Sequence, residues 1–335
     1  MVARPAVALQ VPPVDLVRGP AAPHRYRQAV QAGADKQVLV TVHELPAGIR
    51  VAVENADDDA TFTLTEAPTD DRRKVTVPSI STALADLTAR CTSWPQAAAV
   101  CDDVLRSVDP AGPTRPGVIT ESLAYSTLQA GPEFARWLAE RGPAVAPRLP
   151  EPVQAERDGN TLYVRFNRPQ RHNAFSTDAR AALLEALEVA RLDPSVDEVV
   201  LSGNGRSFCS GGDLAEFGTF DDPASAHLAR TRHSPALMLD ELTARLGLRC
   251  RADVHGQVLG SGLEMAAYCG RIRCDPHATL GLPELALGLI PGAGGTVSVT
   301  RRIGRWRTAY LVLSGQPIDA ATALAWGLVD ETTTI

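Results

Sequence analysis

The sequence predicts an α/β protein with largely parallel strands, preceded by a smaller region of mixed, mainly helical character. Two observations carry this prediction. From residue 160 onward, short apolar strand patterns alternate with amphipathic helical ones. Glycine-rich turns sit where those strands hand over to helices, as in "FCSGGDL" (208–214) and "VLGSGLEM" (258–265). A third observation sets the boundary. Two proline-rich stretches, "DPAGPTRPG" (109–117) and "RGPAVAPRLPEPVQ" (141–154), favour extended linkers, and the division falls near residue 153. The expected units are therefore 1–153 and 154–335.

Taken in order, the opening "MVARPAVALQVPPVDLV" is broken by prolines and lacks the apolar core of a signal peptide. "QVLVTV" and "GIRVAVEN" alternate as a pair of strands around the turn-like "ELPAG". "STALADLTARC" and "PQAAAVCDDVLRSV" are helical, with Leu84 and Leu87, then Val100, Val104 and Leu105, on apolar faces. "TESLAYSTLQAGPEFARWLAERG" (120–142) reads as one helical segment, opened by Thr120 as N-cap and closed by Gly142. No chemistry stands out in this half; His24 and His43 sit at no metal-ligand spacing.

In the second half, "TLYVRFN" alternates Leu162, Val164 and Phe166 inward as a strand. A helix follows from Thr177 to Leu192, capped by Ser176, with Leu183, Leu184 and Leu187 on one face. Then come the buried strand "EVVLSG", helical character over 222–247, and the strand "LRCRADVHG". "RIRCD", "ATLGLPE" and "LGLIPGAGGTVSVTRRIG" follow in quick succession.

The 335 residues are 44% hydrophobic and 21% charged, enough apolar mass for a substantial core. A formal net charge of −6 argues against a nucleic-acid surface. No apolar run approaches the roughly 18 residues a membrane helix needs. Six cysteines are scattered with no CxxC and no metal spacing, which predicts reduced thiols in a cytoplasm and no metal site.

The glycine turns carry the chemistry. Each one exposes unpaired backbone N–H groups at a helix start, where the partial positive charge suits an oxygen that becomes anionic. Two such turns converging would form a two-donor oxyanion hole. In "SGGD" one glycine makes the turn and the next lets a backbone N–H approach a carbonyl closely. Taken singly, a glycine pair between strand and helix is a bare turn. "GNGRSF" and "GSGLEM" lack the third glycine of a dinucleotide fingerprint, which disfavours a Rossmann unit.

Four ordered stretches, "NRPQRHNAFS" (167–176), "SFCSGGDL" (207–214), "HGQVLGSGLEMAAYC" (255–269) and "LGLPELALGLIPGAGGT" (280–296), resemble the enoyl-CoA hydratase/isomerase (crotonase) superfamily over about 155–330. The resemblance implies a ββα spiral core, assembly as a homo-oligomer (a trimer or a dimer of trimers), and an acyl-CoA thioester as substrate. It implies no cofactor beyond the coenzyme A that the substrate carries. The oxyanion donors fall on the N–H groups of Gly212 and Ser261. Most members have glycine at the second place, but any residue except proline keeps the donor. The two water-holding carboxylates fall on Glu264 and Glu284. Adding water across a conjugated double bond needs a base for the water and an acid at the α-carbon, so a converging pair suits it. Without the motif, both would read as ordinary surface carboxylates. The coenzyme A path falls on Arg171, His172, Ala174 and Ser210, with Gly211, Gly260 and Gly262 in the flanking turns. Asp213 reads as an N-terminal cap and Cys209 as a small buried residue.

Two departures stand out. Relatives continue well past "GLVDE", whereas this sequence stops five residues after Asp330, and about 150 residues precede the core. A longer N-terminal region is known in the family's dihydroxyphenylacetyl-CoA dioxygenase branch. The 120–142 helix, with Leu123, Leu128, Phe134 and Leu138 lacking partners nearby in sequence, is expected to dock on the core beside the active site or at a subunit interface. The leading expectation is hydration of an enoyl-CoA, or the reverse dehydration. The alternatives are double-bond isomerisation, cofactor-free oxygenation, or a catalytically silent acyl-CoA binder; a silent binder would need neither glutamate.

Overall fold

The computed structural model describes residues 27–29, 40–145, 147–220 and 222–335. The opening segment and His24 lie outside the described residues. A five-stranded sheet comes first, in the spatial order β1 (Arg27–Ala29), β2 (Val40–Glu44), β3 (Arg50–Val53), β4 (Phe62–Thr65) and β5 (Lys74–Thr76). β2 and β3 are the expected antiparallel pair, with Val42 opposite Ala52. β3, β4 and β5 run parallel. Four helices follow: α1 (Ile80–Ser93), α2 (Pro95–Ser107), α3 (Thr114–Gln129) and α4 (Pro132–Arg141).

Two expectations for this region are corrected. The segment 120–142 is not one helix, because Pro132 cannot supply an N–H to continue the ladder, and the chain restarts at Gly131. Nor does the helix open at Thr120. It opens at Thr114, inside the stretch read as a linker, since Pro116 lies in the first turn, where no N–H partner is required. Gly142 closes α4 with a positive φ of 71°, as expected.

The second half begins with the hairpin of β6 (Val153–Asp158) and β7 (Thr161–Phe166), in which Leu162, Val164 and Phe166 are buried. Next come α5 (Thr177–Leu192), β8 (Glu198–Gly203), α6 (Pro223–Arg232), α7 (Pro235–Leu246), β9 (Cys250–Val254) and β10 (Gln257–Leu259). Ser176 caps α5 by accepting from Ala179 N at 3.1 Å. The chain continues through α8 (Ser261–Ala266), β11 (Arg271–Cys274), β12 (Thr279–Gly281), α9 (Gly295–Ser314), β13 (Ile318–Asp319), α10 (Ala320–Trp326) and β14 (Glu331–Thr332). The larger sheet has the order β14-β11-β9-β8-β7-β6, parallel except for the β6–β7 hairpin. A three-stranded sheet, β10-β12-β13, lies beside it.

α9 is the spine of the molecule. It is buried along most of its length, with α1, α2, α3 and α8 all packed against it. Buried side chains from Leu45 to Phe134 and from Leu162 to Val329 form one continuous cluster. Arginines on α9 reinforce the contact: Arg305 donates to Ala60 O at 3.2 Å, Arg307 to Lys74 O at 3.3 Å, and Arg301 to Gly112 O at 2.9 Å.

The face of α3 that docks is not the one expected. Leu123 is 53% exposed, while Val118, Glu121, Ser122 and Tyr125 are buried. Leu128 and Phe134 are buried as expected, and Leu138 is half-buried. The docking face is half polar because it meets the exposed backbone N–H groups at the start of α9.

Candidate active site

The β8–α6 connection and the β10–α8 turn bring the two glycine loops together. The segment 171–175 runs beside 210–213: Ser210 N donates to His172 O, Phe175 N to Gly211 O and Asp213 N to Phe175 O, at 2.8–3.0 Å. These bonds engage the amides of Ser210 and Asp213 and leave Gly212 N without a partner among the described residues. Gly211 has a φ of 100°, open to glycine at no steric cost, and this is what turns the next N–H inward. Ser261 opens α8, where a first-turn N–H has no intrahelical acceptor. Both residues line one cavity. The Ser261 side chain is buried and its hydroxyl has no partner among the described residues.

Glu264 and Glu284 line the same cavity and are nearly fully buried, so neither is an ordinary surface carboxylate. Glu264 Oε2 accepts from Ala293 N at 2.7 Å and Gly295 N at 2.8 Å. Burial nevertheless pushes its carboxyl up to about 7. Glu284 lies against the β10–α8 turn, with Oε1 2.6 Å from where a Cβ on Gly260 would stand, and the φ of 48° at Gly260 suits glycine. Its Oε2 has no partner among the described residues. Burial first, and the Glu264 charge second, hold Glu284 well above the usual carboxylate range.

The remaining predicted residues lie beside the cavity. Arg171, His172, Ala174, Ser210, Gly211, Gly260 and Gly262 are absent from its lining; the last four belong to the two glycine turns, and the first three to the segment running beside 210–213. Arg171 and the buried Arg168 both pair with Asp213, at 2.8 and 2.9 Å. Asp213 also caps the following turn by accepting from Ala215 N at 3.2 Å. His172 Nδ1 meets Ser207 Oγ at 2.9 Å. Gly262 faces Cys209, whose Cβ stands 2.7 Å from where a Cβ on Gly262 would be. Cys209 itself is buried, and desolvation pushes its thiol up to about 12, the state of an inert packing residue.

The N-terminal region, in which the sequence shows no chemistry, supplies part of the site. Glu121 of α3 is 1% exposed and accepts from Gly294 N at 2.7 Å, Thr296 N at 2.9 Å and Thr296 Oγ1 at 2.7 Å. The start of α9 thus divides its amides in alternation: 293 and 295 to Glu264, 294 and 296 to Glu121. Gly294, with a φ of 99°, provides the bend. Desolvation, and then the Glu264 charge, push Glu121 up to about 8. Tyr125, one turn further along α3, packs against Gly292 at the cavity wall. In sequence, Glu121 looks like any polar residue of a surface helix. Only the long-range pairing with "GAGGT" marks it.

A spiral α/β core with facing glycine turns, two buried carboxylates in one cavity, and a mixed N-terminal region over them define a class. The chain belongs to the enoyl-CoA hydratase/isomerase family, whose model matches residues 156–334. It is 35% identical over 178 residues to 2,3-dehydroadipyl-CoA hydratase of Escherichia coli (strain K12), covering 52% of this chain and 66% of that one. It is 32% identical over 181 residues to a probable enoyl-CoA hydratase of Mycobacterium tuberculosis (strain CDC 1551 / Oshkosh), covering 53% and 67%. Among solved structures, an enoyl-CoA hydratase/carnithine racemase from Magnetospirillum magneticum aligns with a TM-score of 0.50 at 26% identity, covering 55% of this chain and 68% of that one. The match thus spans about two thirds of each relative's length. Among the described residues, no helix is long and apolar enough to cross a membrane, and no group of His, Cys, Asp and Glu could hold a metal ion.

Proposed function

We propose that the protein hydrates a 2-enoyl-CoA thioester, or dehydrates the 3-hydroxyacyl-CoA in reverse, with no cofactor besides the coenzyme A of the substrate. The observation that carries this reading is the joint burial of Glu264 and Glu284 in the cavity that also holds Gly212 and Ser261. The thioester oxygen accepts from the Gly212 and Ser261 N–H groups, which lowers the cost of placing negative charge on it. A water sits between the two carboxyls. Glu264, the more readily ionised of the two, takes a proton from the water, and the water oxygen bonds to the β-carbon. The π electrons move through the α-carbon onto the thioester oxygen as an enolate. Glu284, held protonated by its burial, then gives its proton to the α-carbon as the carbonyl re-forms. The carboxyls finish with their protons exchanged, and solvent resets them. Glu121 acts at one remove: it fixes the α9 start whose alternate amides hold Glu264, so it is a positioning residue. The decisive experiment follows conjugated enoyl-thioester absorbance with crotonyl-CoA and a panel of 2-enoyl- and 3-enoyl-CoA esters, where hydration removes the absorbance and isomerisation of a 3-enoyl ester creates it. Turnover of 2-enoyl esters supports hydration. Conversion of 3-enoyl esters alone would replace it with isomerisation.

A further inference from the structure

The cavity carries a second charged group that the hydration chemistry does not use. Arg180 of α5 and Arg230 of α6 both line it, together with His233 at the end of α6. Other guanidinium groups of this fold meet acceptors directly. Arg168 is paired with Asp213, and Arg307 is met by the carbonyls of Asp71 and Lys74. Arg180 has neither kind of partner: its side chain makes no hydrogen bond or ion pair among the described residues. The carboxylate of Glu216, which also lines the cavity, acts on Arg180 through space without an ion pair, its Oε2 accepting from Thr177 N at 2.7 Å and Thr177 Oγ1 at 3.0 Å. Arg230 is held only by neutral groups. It donates to Ser122 Oγ at 3.1 Å, to Gln129 Oε1 at 3.0 Å and to Ser126 Oγ, and its guanidinium lies 4.5 Å over the Tyr125 ring.

The placement is ordered. Tyr125 meets Gly292 with its ring edge and Arg230 with its ring face, so its ring lies between the α9 start, which holds Glu264, and the α6 guanidinium. Arg180 lies one turn into α5, just past the Phe175 that pairs with the Gly212 loop. Both arginines are half-buried, line the cavity and form no ion pair, so an anion entering it would gain charge-assisted hydrogen bonds from the pair.

Resting on the acyl-CoA reading above, we infer that Arg180 and Arg230 form an anion subsite for the far end of the acyl group. The acyl thioester that fits this cavity carries a second, terminal carboxylate. The two guanidiniums act as a specificity device: a terminal carboxylate gains charge-assisted bonds that a plain alkyl tail forgoes.

The test uses unreactive saturated esters, so that it reads binding and not hydration. Dissociation constants are measured by calorimetry for butyryl-, valeryl- and hexanoyl-CoA and for the matched succinyl-, glutaryl- and adipyl-CoA, on the full chain and on Arg180→Gln. At least one diacid ester is expected to bind about tenfold or more tightly than its alkyl match, in line with a desolvated charge-assisted pair. In Arg180→Gln that ratio should collapse several-fold, with the alkyl esters unchanged. Arg180 makes no structural bonds, so the variant should melt within a few degrees of the parent. Diacid and alkyl esters binding alike would overturn the subsite alone. Equal weakening of both series by Arg180→Gln would also overturn it, assigning Arg180 to the coenzyme A phosphates. If no ester binds, the thioester reading and the subsite fail together.

Discussion

At the scale of single residues, the site rests on carboxyls that burial keeps partly protonated, and this sets two pH dependences of opposite sign. As the proposed base, Glu264 would act only when ionised, so kcat/KM should rise with pH through about 7. Stability should move the other way. The folded carboxyls of Glu264 and Glu121 sit near 7 and 8, above the ordinary 4.5 of the unfolded chain. The folded state therefore holds more protons across that window, and its advantage is lost as pH rises from about 4.5 toward 8. Calorimetric melting at half-unit steps should show Tm falling over this range, and Glu121→Gln should flatten the slope. Glu264→Gln and Glu284→Gln should each lower turnover about a hundredfold or more while saturated acyl-CoA still binds, checked by absorbance and calorimetry. Full turnover in both would remove the two-carboxylate chemistry. Gly212→Pro deletes an N–H whose loss costs about 3 kcal/mol of transition-state stabilisation, so activity should vanish. Gly212→Ala keeps the N–H and crowds only the Phe217 ring edge, 2.8 Å from the new Cβ, so it should retain far more activity.

At the scale of elements, the sequence is most legible where a local rule acts alone. The period-2 pattern of 161–166 and the serine before α5 needed no tertiary information to be read. The helix boundaries over 109–142 differ from the expectation because proline acts by position: Pro116 falls in a first turn, which tolerates it, whereas Pro132, inside the expected helix, interrupts a ladder. The buried face of α3 was misread for a different reason. Apolar periodicity selects Leu123, but the surface awaiting this helix is a row of backbone donors, and Glu121 satisfies them. The same kind of long-range capping joins α4 to α2. The α2 N-terminus has no side-chain cap of its own, and Glu133, almost fully buried, accepts from Gln96 N at 2.7 Å and Ala97 N at 3.0 Å. Glu133→Ala should destabilise the fold by about 1–2 kcal/mol, measured by urea denaturation, because two helix amides lose their acceptor in a dry setting. An unchanged midpoint would mean that water replaces the carboxylate there.

At the scale of the whole molecule, the N-terminal region and the family core share one apolar cluster, organised on α9. A chain beginning at residue 153 would uncover the α9 surface that α1, α2 and α3 now cover, and would lose Tyr125 from the cavity wall and Glu121 from the α9 start. It should be poorly soluble and inactive, as judged by soluble yield, size-exclusion profile and turnover. A soluble, active core would mean that α3 is dispensable for the site. The proposed carboxylate pair and its glycine loops each lie inside a short local motif, so sequence alone can nominate them. It cannot nominate the third carboxylate, which reaches its partners across 173 residues of chain.

That separation has a consequence in time. Synthesis at about 5–20 residues per second puts roughly 10–35 seconds between the emergence of Glu121 and that of Gly294. Throughout that interval the inner faces of α1, α2 and α3 have no α9 to lie against, and Glu121 has no amides to receive. The nascent chain therefore spends most of its synthesis with an apolar surface open beside a misplaced carboxylate. Its yield in a cell should depend on holding chaperones more steeply than its final stability suggests.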